Sequence, residues 1–235
     1  MLNRVVLVTG AIGALGGAVA RAAFAAGARV AITGRRREVL DALTSELDPG
    51  GARTLAVAAD LAVEADVQRL VEAVAAHWGG VDCLLNVAGG WRGGKSVAEM
   101  ELAEWDEVMA MNLRSAFLIN RAVLPSMAKR GWGRIVNVGS IAAEQPGAQR
   151  AAYNVSKAGV VSLTQSIAAE YRRKGIAANV ILPSVIDTAA NRAGMAKADT
   201  SRWVPPEAIA ELMLFLCSDA GASLNGASIP VYGAV

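Results

Sequence analysis

Short apolar runs alternate along this chain with longer stretches in which apolar residues recur every three or four positions. The run at 5–9, Val-Val-Leu-Val-Thr, is continuous and β-branched, as expected of a strand buried on both faces of a parallel sheet. Further runs at 29–33, 54–59, 81–86, 134–138, 178–182 and 227–232 read as strands two to seven. Between them the spacing predicts helices. An Ala-rich one reaches about residue 26, and an amphipathic one at 63–78 places Val67, Leu70, Val71 and Val74 on its inner side. Residues 101–130 hold enough periodicity for two successive helices, with Asn112 near their junction. Another helix spans 151–174, and a last one begins at Pro205-Pro206-Glu207, where an early proline loses little.

At 235 residues the chain suits one α/β domain with a large core, residues 1–235, without internal repeat or low-complexity linker. The formal charge of +2 gives no reason to expect nucleic acid, and no basic stripe alternates with aromatics. Cys83 and Cys217 lack metal-like spacing and read as reduced core thiols of an intracellular protein. Apolar periodicity from Val5 leaves no room for a signal peptide, and no uncharged run approaches a membrane span. The expected location is the cytoplasm, with no membrane partner and no metal site.

The first strand runs into Gly10-Ala-Ile12-Gly13-Ala-Leu15-Gly16-Gly17 and then a helix. Strand, glycine turn and helix in that order suit a pyrophosphate, because backbone approaches it closely and the helix start offers free N–H groups. An acid at the end of the second strand would bind the adenosine ribose of NAD. Here Gly34 leaves space and Arg35-Arg36-Arg37 follow; a guanidinium, above all that of Arg35, suits the 2′-phosphate of NADP(H) over NAD(H). Asp60 ends the third strand, where its carboxylate would accept from the adenine amino group or cap the next helix. His77, the only histidine, falls at a helix end, which argues against a His-based triad.

The fourth strand leads into Val87-Ala88-Gly89-Gly90-Trp91-Arg92-Gly93-Gly94, a loop whose glycines let backbone pass beside a ligand and whose Trp91 would cover a planar substrate or pack on the surface. Gly139-Ser140 follows the fifth strand, which puts the serine hydroxyl on the same sheet edge. Tyr153 and Lys157 are four residues apart on the next helix and share a face. A cation beside a phenol pulls its pKa from ~10 toward the working range of an acid-base catalyst.

Thr9-Gly10 with its glycine turn, Asp60, Asn86-Val-Ala-Gly89, Asn112, Ser140, Tyr153-x-x-x-Lys157 and Pro183-x-x-x-x-Thr188 together resemble the short-chain dehydrogenase/reductase family over nearly the whole chain. The resemblance implies a single-domain, Rossmann-like, doubly wound seven-stranded parallel sheet with helices on both faces. It also implies hydride transfer between a nicotinamide and a small carbonyl or alcohol, as in general carbonyl or 3-oxoacyl reduction. Tyr153 would be the general acid, Lys157 would lower its pKa and hold the nicotinamide ribose, Ser140 would polarise the substrate oxygen, and Asn112 would hold a relay water. Cofactor contacts would come from Gly10, Ile12, Gly13, Leu15, Gly16, Arg35, Asp60, Leu61, Asn86, Ala88, Gly89, Tyr153, Lys157, Pro183, Val185, Ile186 and Thr188. The family also implies a homodimer or homotetramer paired through the Tyr153 helix and the long one before it. Residues 189–204 would form a brief substrate lid.

Departures from the family pattern include the shifted second glycine of the turn, Val87 for Asn, Ser184 after Pro183, and Ala234 where a second Gly is frequent. Gly13-Ala-Leu-Gly16, the Trp91 loop, and Asp187-Thr188 through Trp203 are similar to the dihydropteridine reductase branch. Trp91 and Trp203 would then frame a quinonoid pterin. The arginines after the second strand and the presence of Ser140 oppose that alternative. A non-catalytic NADP-binding regulator is a further alternative, against which stand the retained Tyr153 and Lys157.

Overall fold

A computed structural model describes residues 1–233; Ala234 lies outside them. Seven strands form one parallel sheet: β1 (Val5–Thr9), β2 (Arg29–Gly34), β3 (Thr54–Ala58), β4 (Cys83–Asn86), β5 (Gly133–Val138), β6 (Ile176–Pro183) and β7 (Ser228–Val231), in the spatial order 3-2-1-4-5-6-7. The order reverses between β1 and β4, so the chain ends leaving those two strands diverge to opposite faces and open a crevice. This is the doubly wound architecture expected, with strand bounds shifted by a residue or two.

The described residues form eight α-helices, most of them packed on the two faces of the sheet: α1 (Ala14–Ala25), α2 (Arg37–Leu47), α3 (Glu64–Trp78), α4 (Leu102–Met109), α5 (Ser115–Arg130), α6 (Ala151–Tyr171), α7 (Ala189–Gly194) and α8 (Pro206–Cys217). Alternate strand residues face opposite layers. Val6 and Val8 join α1, α2 and α8 in one apolar cluster, while Val5 and Leu7 join α3, α5 and α6 in the other. Each fully buried aliphatic side chain of this kind stabilises the fold by ~1.5–3 kcal/mol relative to exposure. Cys83 and Cys217 are buried free thiols in the first cluster, and the hydrogen bond that Cys217 donates to Cys83, together with burial, pushes the Cys217 thiol well up. His77 lies in the last turn of α3, edge-on to Trp78.

The stretch 101–130 is continuous rather than broken. Between α4 and α5 the helix widens into a π turn at Ala110–Arg114, with Asn112 buried inside it. Such widening re-aims one side chain without ending the helix. Register places Thr9, Asn86 and Asn137 side by side across β1, β4 and β5. Thr9 Oγ1 donates to Asn86 Oδ1 (2.7 Å), and Asn86 Nδ2 to Asn137 Oδ1 (2.9 Å). Asn120 Nδ2 shares that acceptor, and Asn137 Nδ2 reaches Thr164 Oγ1 at 3.0 Å. A buried network with its members paired rigidifies the sheet edge that carries the ligand loops. Among the described residues no helix is long and apolar enough to cross a membrane.

Candidate active site

The crevice is a cleft of about 840 Å³ whose floor is the glycine turn. Gly10 sits at φ +65°, and a Cβ there would meet Ala88 Cα at 3.0 Å. At Gly16 a Cβ would overlap the carbonyl of Gly10, so this closest crossing of turn and helix admits only glycine. Gly13 precedes α1 with no side-chain acceptor on the helix N–H groups and no acid in the first turn. That leaves a positive helix end facing the cleft, suited to a diphosphate. Ile12, Leu15, Arg35, Asp60, Leu61, Ala88 and Gly89 line the same cleft. Arg35 is exposed, with Gly34 beneath it, where a Cβ would meet Ile12 Cγ2 at 3.2 Å. The Asp60 carboxylate accepts from Ala62 N at 2.9 Å, shaping the turn before α3 rather than capping the helix, which starts at Glu64 after Val63.

At the other end of the cleft stand Ser140, Tyr153 and Lys157, with Pro183 and Ile186 beside them. Ser140 Oγ accepts from Ala142 N at 3.1 Å, which fixes its rotamer and leaves its O–H directed by its neighbours. It also hydrogen-bonds the Tyr153 phenol. That phenol is held above its ordinary value, first by burial; the Ser140 hydrogen bond and the charge of Arg150 pull the other way. Lys157 is 5% exposed, donates from Nζ to Val138 O at 3.0 Å, and has its pKa lowered to about 8 by burial. Its Nζ is 5.9 Å from the Tyr153 ring centroid. The contact with Val138 holds the ammonium in the cleft beside Tyr153, and the charge of Arg150 also acts on the phenol.

Asn112 accepts from Gly90 N at 3.0 Å and donates to Gly90 O at 3.1 Å, so its amide grips the loop backbone. A Cβ on Gly89 would stand 2.7 Å from Asn112 Oδ1 and 3.2 Å from Lys157 Nζ, which packs loop, π turn and α6 together. Four expected cofactor or substrate residues lie off the cleft wall. Asn86 spends its amide in the buried ladder, Val185 gives its carbonyl to Val204 N at 2.9 Å, and Thr188 caps α7 by accepting from Asn191 N at 3.1 Å. Trp203 is only 9% exposed, beside the Ile186–Val204 bridge. Trp91, 62% exposed, does line the cleft. Glu107, Met111, Ser184 and Asn191 also line it and were not singled out as site residues from the sequence, where no periodicity or spacing marks them.

A profile of the short chain dehydrogenase family matches residues 4–199. The chain is 37% identical to D-threitol dehydrogenase of Mycolicibacterium smegmatis over 98% of its own length and 92% of that protein. It is 32% identical to the 3-oxoacyl-acyl-carrier-protein reductase FabG of Aquifex aeolicus, over 98% and 96%. The crystal structure of gox2181 superposes with a TM-score of 0.92 at 32% identity, covering 98% of this chain and 95% of that one.

Proposed function

Because the chain belongs to the short-chain dehydrogenase family and is an oxidoreductase of alcohol and carbonyl groups, we propose that it is an NADP(H)-dependent reductase of small carbonyl compounds. The observation behind this reading is that Ser140, Tyr153 and Lys157 meet at one end of a cleft whose other end is the Gly10–Gly16 turn. The residues fit a dinucleotide: the uncapped start of α1 takes the diphosphate, and the glycines leave room for it. Asp60 and Leu61 flank the adenine end, and Gly89, Pro183 and Ile186 the nicotinamide end. Arg35 favours the additional phosphate of NADP(H), since no acid stands at the end of β2 to hold a free ribose hydroxyl pair.

When bound, the nicotinamide supplies or accepts the hydride. Tyr153 donates its phenolic proton to the carbonyl oxygen in reduction. Its burial keeps the phenol protonated at neutral pH, which is the form that reduction requires. Ser140 donates to the same oxygen and stabilises the charge that develops there. Lys157, held by Val138, presents a largely charged ammonium at pH 7 behind the phenol. Asn112 fixes the Gly89–Gly90 backbone against this group.

Residues 189–204, with α7 as their one helix, act as a brief lid over a pocket too open to enclose a large apolar ligand. Exposed Phe117 and a groove shared by α4, α5 and α6 support pairing of two copies through these helices. The buried free thiols suit a reducing compartment, the cytoplasm. A steady-state screen of NADPH and NADH oxidation against diketones, 3-oxoacyl thioesters, quinones and a quinonoid pterin tests the reading. Turnover with NADPH ahead of NADH is expected; tight NADPH binding without turnover of any carbonyl would contradict it.

A further inference from the structure

Three of the loops at the substrate end of the cleft lean on one short segment, residues 231–233, which stands behind the cleft wall rather than in it. Pairing of β7 with β6 sets Val231 beside Pro183, and Ser184 N donates to Val231 O at 3.0 Å. Ser184, which lines the cleft, also donates from Oγ to Tyr232 O at 3.1 Å. Gly233 holds φ +85°, and a Cβ there would overlap the Arg202 carbonyl, so the chain passes directly over the end of the 189–204 segment. Val204 N returns to Val185 O at 2.9 Å, which closes this side.

The third loop is the strap that runs from Ser140 to α6. The Tyr232 hydroxyl donates to Glu144 Oε2 at 3.0 Å, across 88 residues of chain. Glu144 closes the one tight helical turn, Ile141–Ala143, that follows Ser140, and its N–H donates to Ile141 O at 3.0 Å. The same turn supplies Ala142 N, the donor that fixes the Ser140 rotamer. Ala143 and Tyr232 pack on one apolar cluster with Val180 and Leu182 of β6. Among the described residues no cation pairs with Glu144, so the charge-assisted bond from Tyr232 is what anchors its carboxylate. The hydroxyl thus reaches the Ser140 side chain through one carboxylate and one turn.

We infer that Tyr232 is a positioning residue for the reaction: its hydroxyl, through Glu144, sets where Ser140 stands relative to Tyr153, and its carbonyl holds the Ser184 side of the same pocket. The inference rests on the reductase reading, in which Ser140 and Tyr153 act on one carbonyl oxygen. Misplacing a catalytic group by about 1 Å can cost ~100-fold in rate, so a loosened turn two steps from the reacting oxygen should cost on the order of tenfold.

The test uses Tyr232→Phe, which keeps the ring in its apolar seat and removes only the hydroxyl. It is assayed with saturating NADPH and the diketone, 3-oxoacyl thioester or quinone that the wild type reduces fastest. The expected result is a fall of roughly tenfold in kcat, with the NADPH dissociation constant and the urea midpoint unchanged. Glu144→Ala should cost as much, and the double variant no more than either single one, because both break the same link. Glu144→Gln, which still offers an acceptor, should keep most of the rate. If Tyr232 only packs the end of β7, the Phe variant turns over like the wild type, which overturns the inference. Losses that multiply in the double variant, or that fall in step with the urea midpoint and NADPH affinity, also overturn it and leave the reductase reading intact. Absence of wild-type turnover with every carbonyl compound removes both.

Discussion

The two ends of the cleft are made in different ways. The nucleotide end is backbone: Gly10 and Gly16 act by what they lack, and the helix behind them acts by its free N–H groups. The substrate end is side chain: Ser140, Tyr153, Lys157 and Trp91 arrive from the end of β5, from α6 and from the loop after β4. A backbone site tolerates no added atoms, whereas a side-chain site can lose a group and keep its shape. Substitutions at the first end should therefore abolish binding, and those at the second should separate chemistry from binding.

The largest effect is expected from Gly16→Val. Its side chain has nowhere to go but into the Gly10 carbonyl, so NADPH affinity should fall at least ~100-fold, with a stability loss of about 3 kcal/mol. Titration of intrinsic fluorescence with NADPH, alongside urea denaturation, measures both; retained affinity would remove the close crossing from the account. Next, Arg35→Asp should invert the preference between NADPH and NADH, by on the order of tenfold in each kcat/KM. An unaltered preference would show that Arg35 does not read the phosphate.

Lys157→Met sharpens the contrast through stability. The native ammonium loses its proton near pH 8, whereas the unfolded chain keeps it to about 10.5. Between these values the unfolded state binds more protons, so wild-type stability gains with rising pH, by at most ~1.4 kcal/mol per unit. The Met variant lacks this burden. It should be the more stable protein at pH 7, by about 1–2 kcal/mol, and lose the advantage by pH 9.5, while its turnover falls. Denaturant unfolding at the two pH values checks the crossing. The smallest effect belongs to Trp91→Ala. The ring is largely exposed, so KM should rise only a few-fold (~3-fold) with kcat little altered.

The same division decides what was legible in the sequence. The strands, the glycine turn, the Tyr153–Lys157 helix and the serine after β5 follow from local pattern, and the doubly wound seven-stranded parallel sheet followed from the family resemblance those motifs carry. The π turn at Asn112 was not legible as such, since one extra residue in a helical turn leaves the apolar periodicity almost unchanged. The burial of Trp203 was not legible, because it goes with a bridge between Ile186 and Val204 and with Gly233 packing over Arg202, contacts between segments apart in sequence. The spacing from Tyr153 puts Lys157 in the cleft, but its hydrogen bond to a backbone carbonyl of β5 was not legible, because that partner is distant in sequence.

The central claim is that Tyr153 is the acid of a carbonyl reduction whose nucleotide site is assembled independently of it. The most direct measurement is Tyr153→Phe, with kcat/KM for the best carbonyl substrate and the NADPH dissociation constant determined on the same preparation. The account predicts a loss of ~100-fold or more in kcat/KM with NADPH affinity within a few-fold (~3-fold) of wild type. Full turnover in the Phe variant would contradict it.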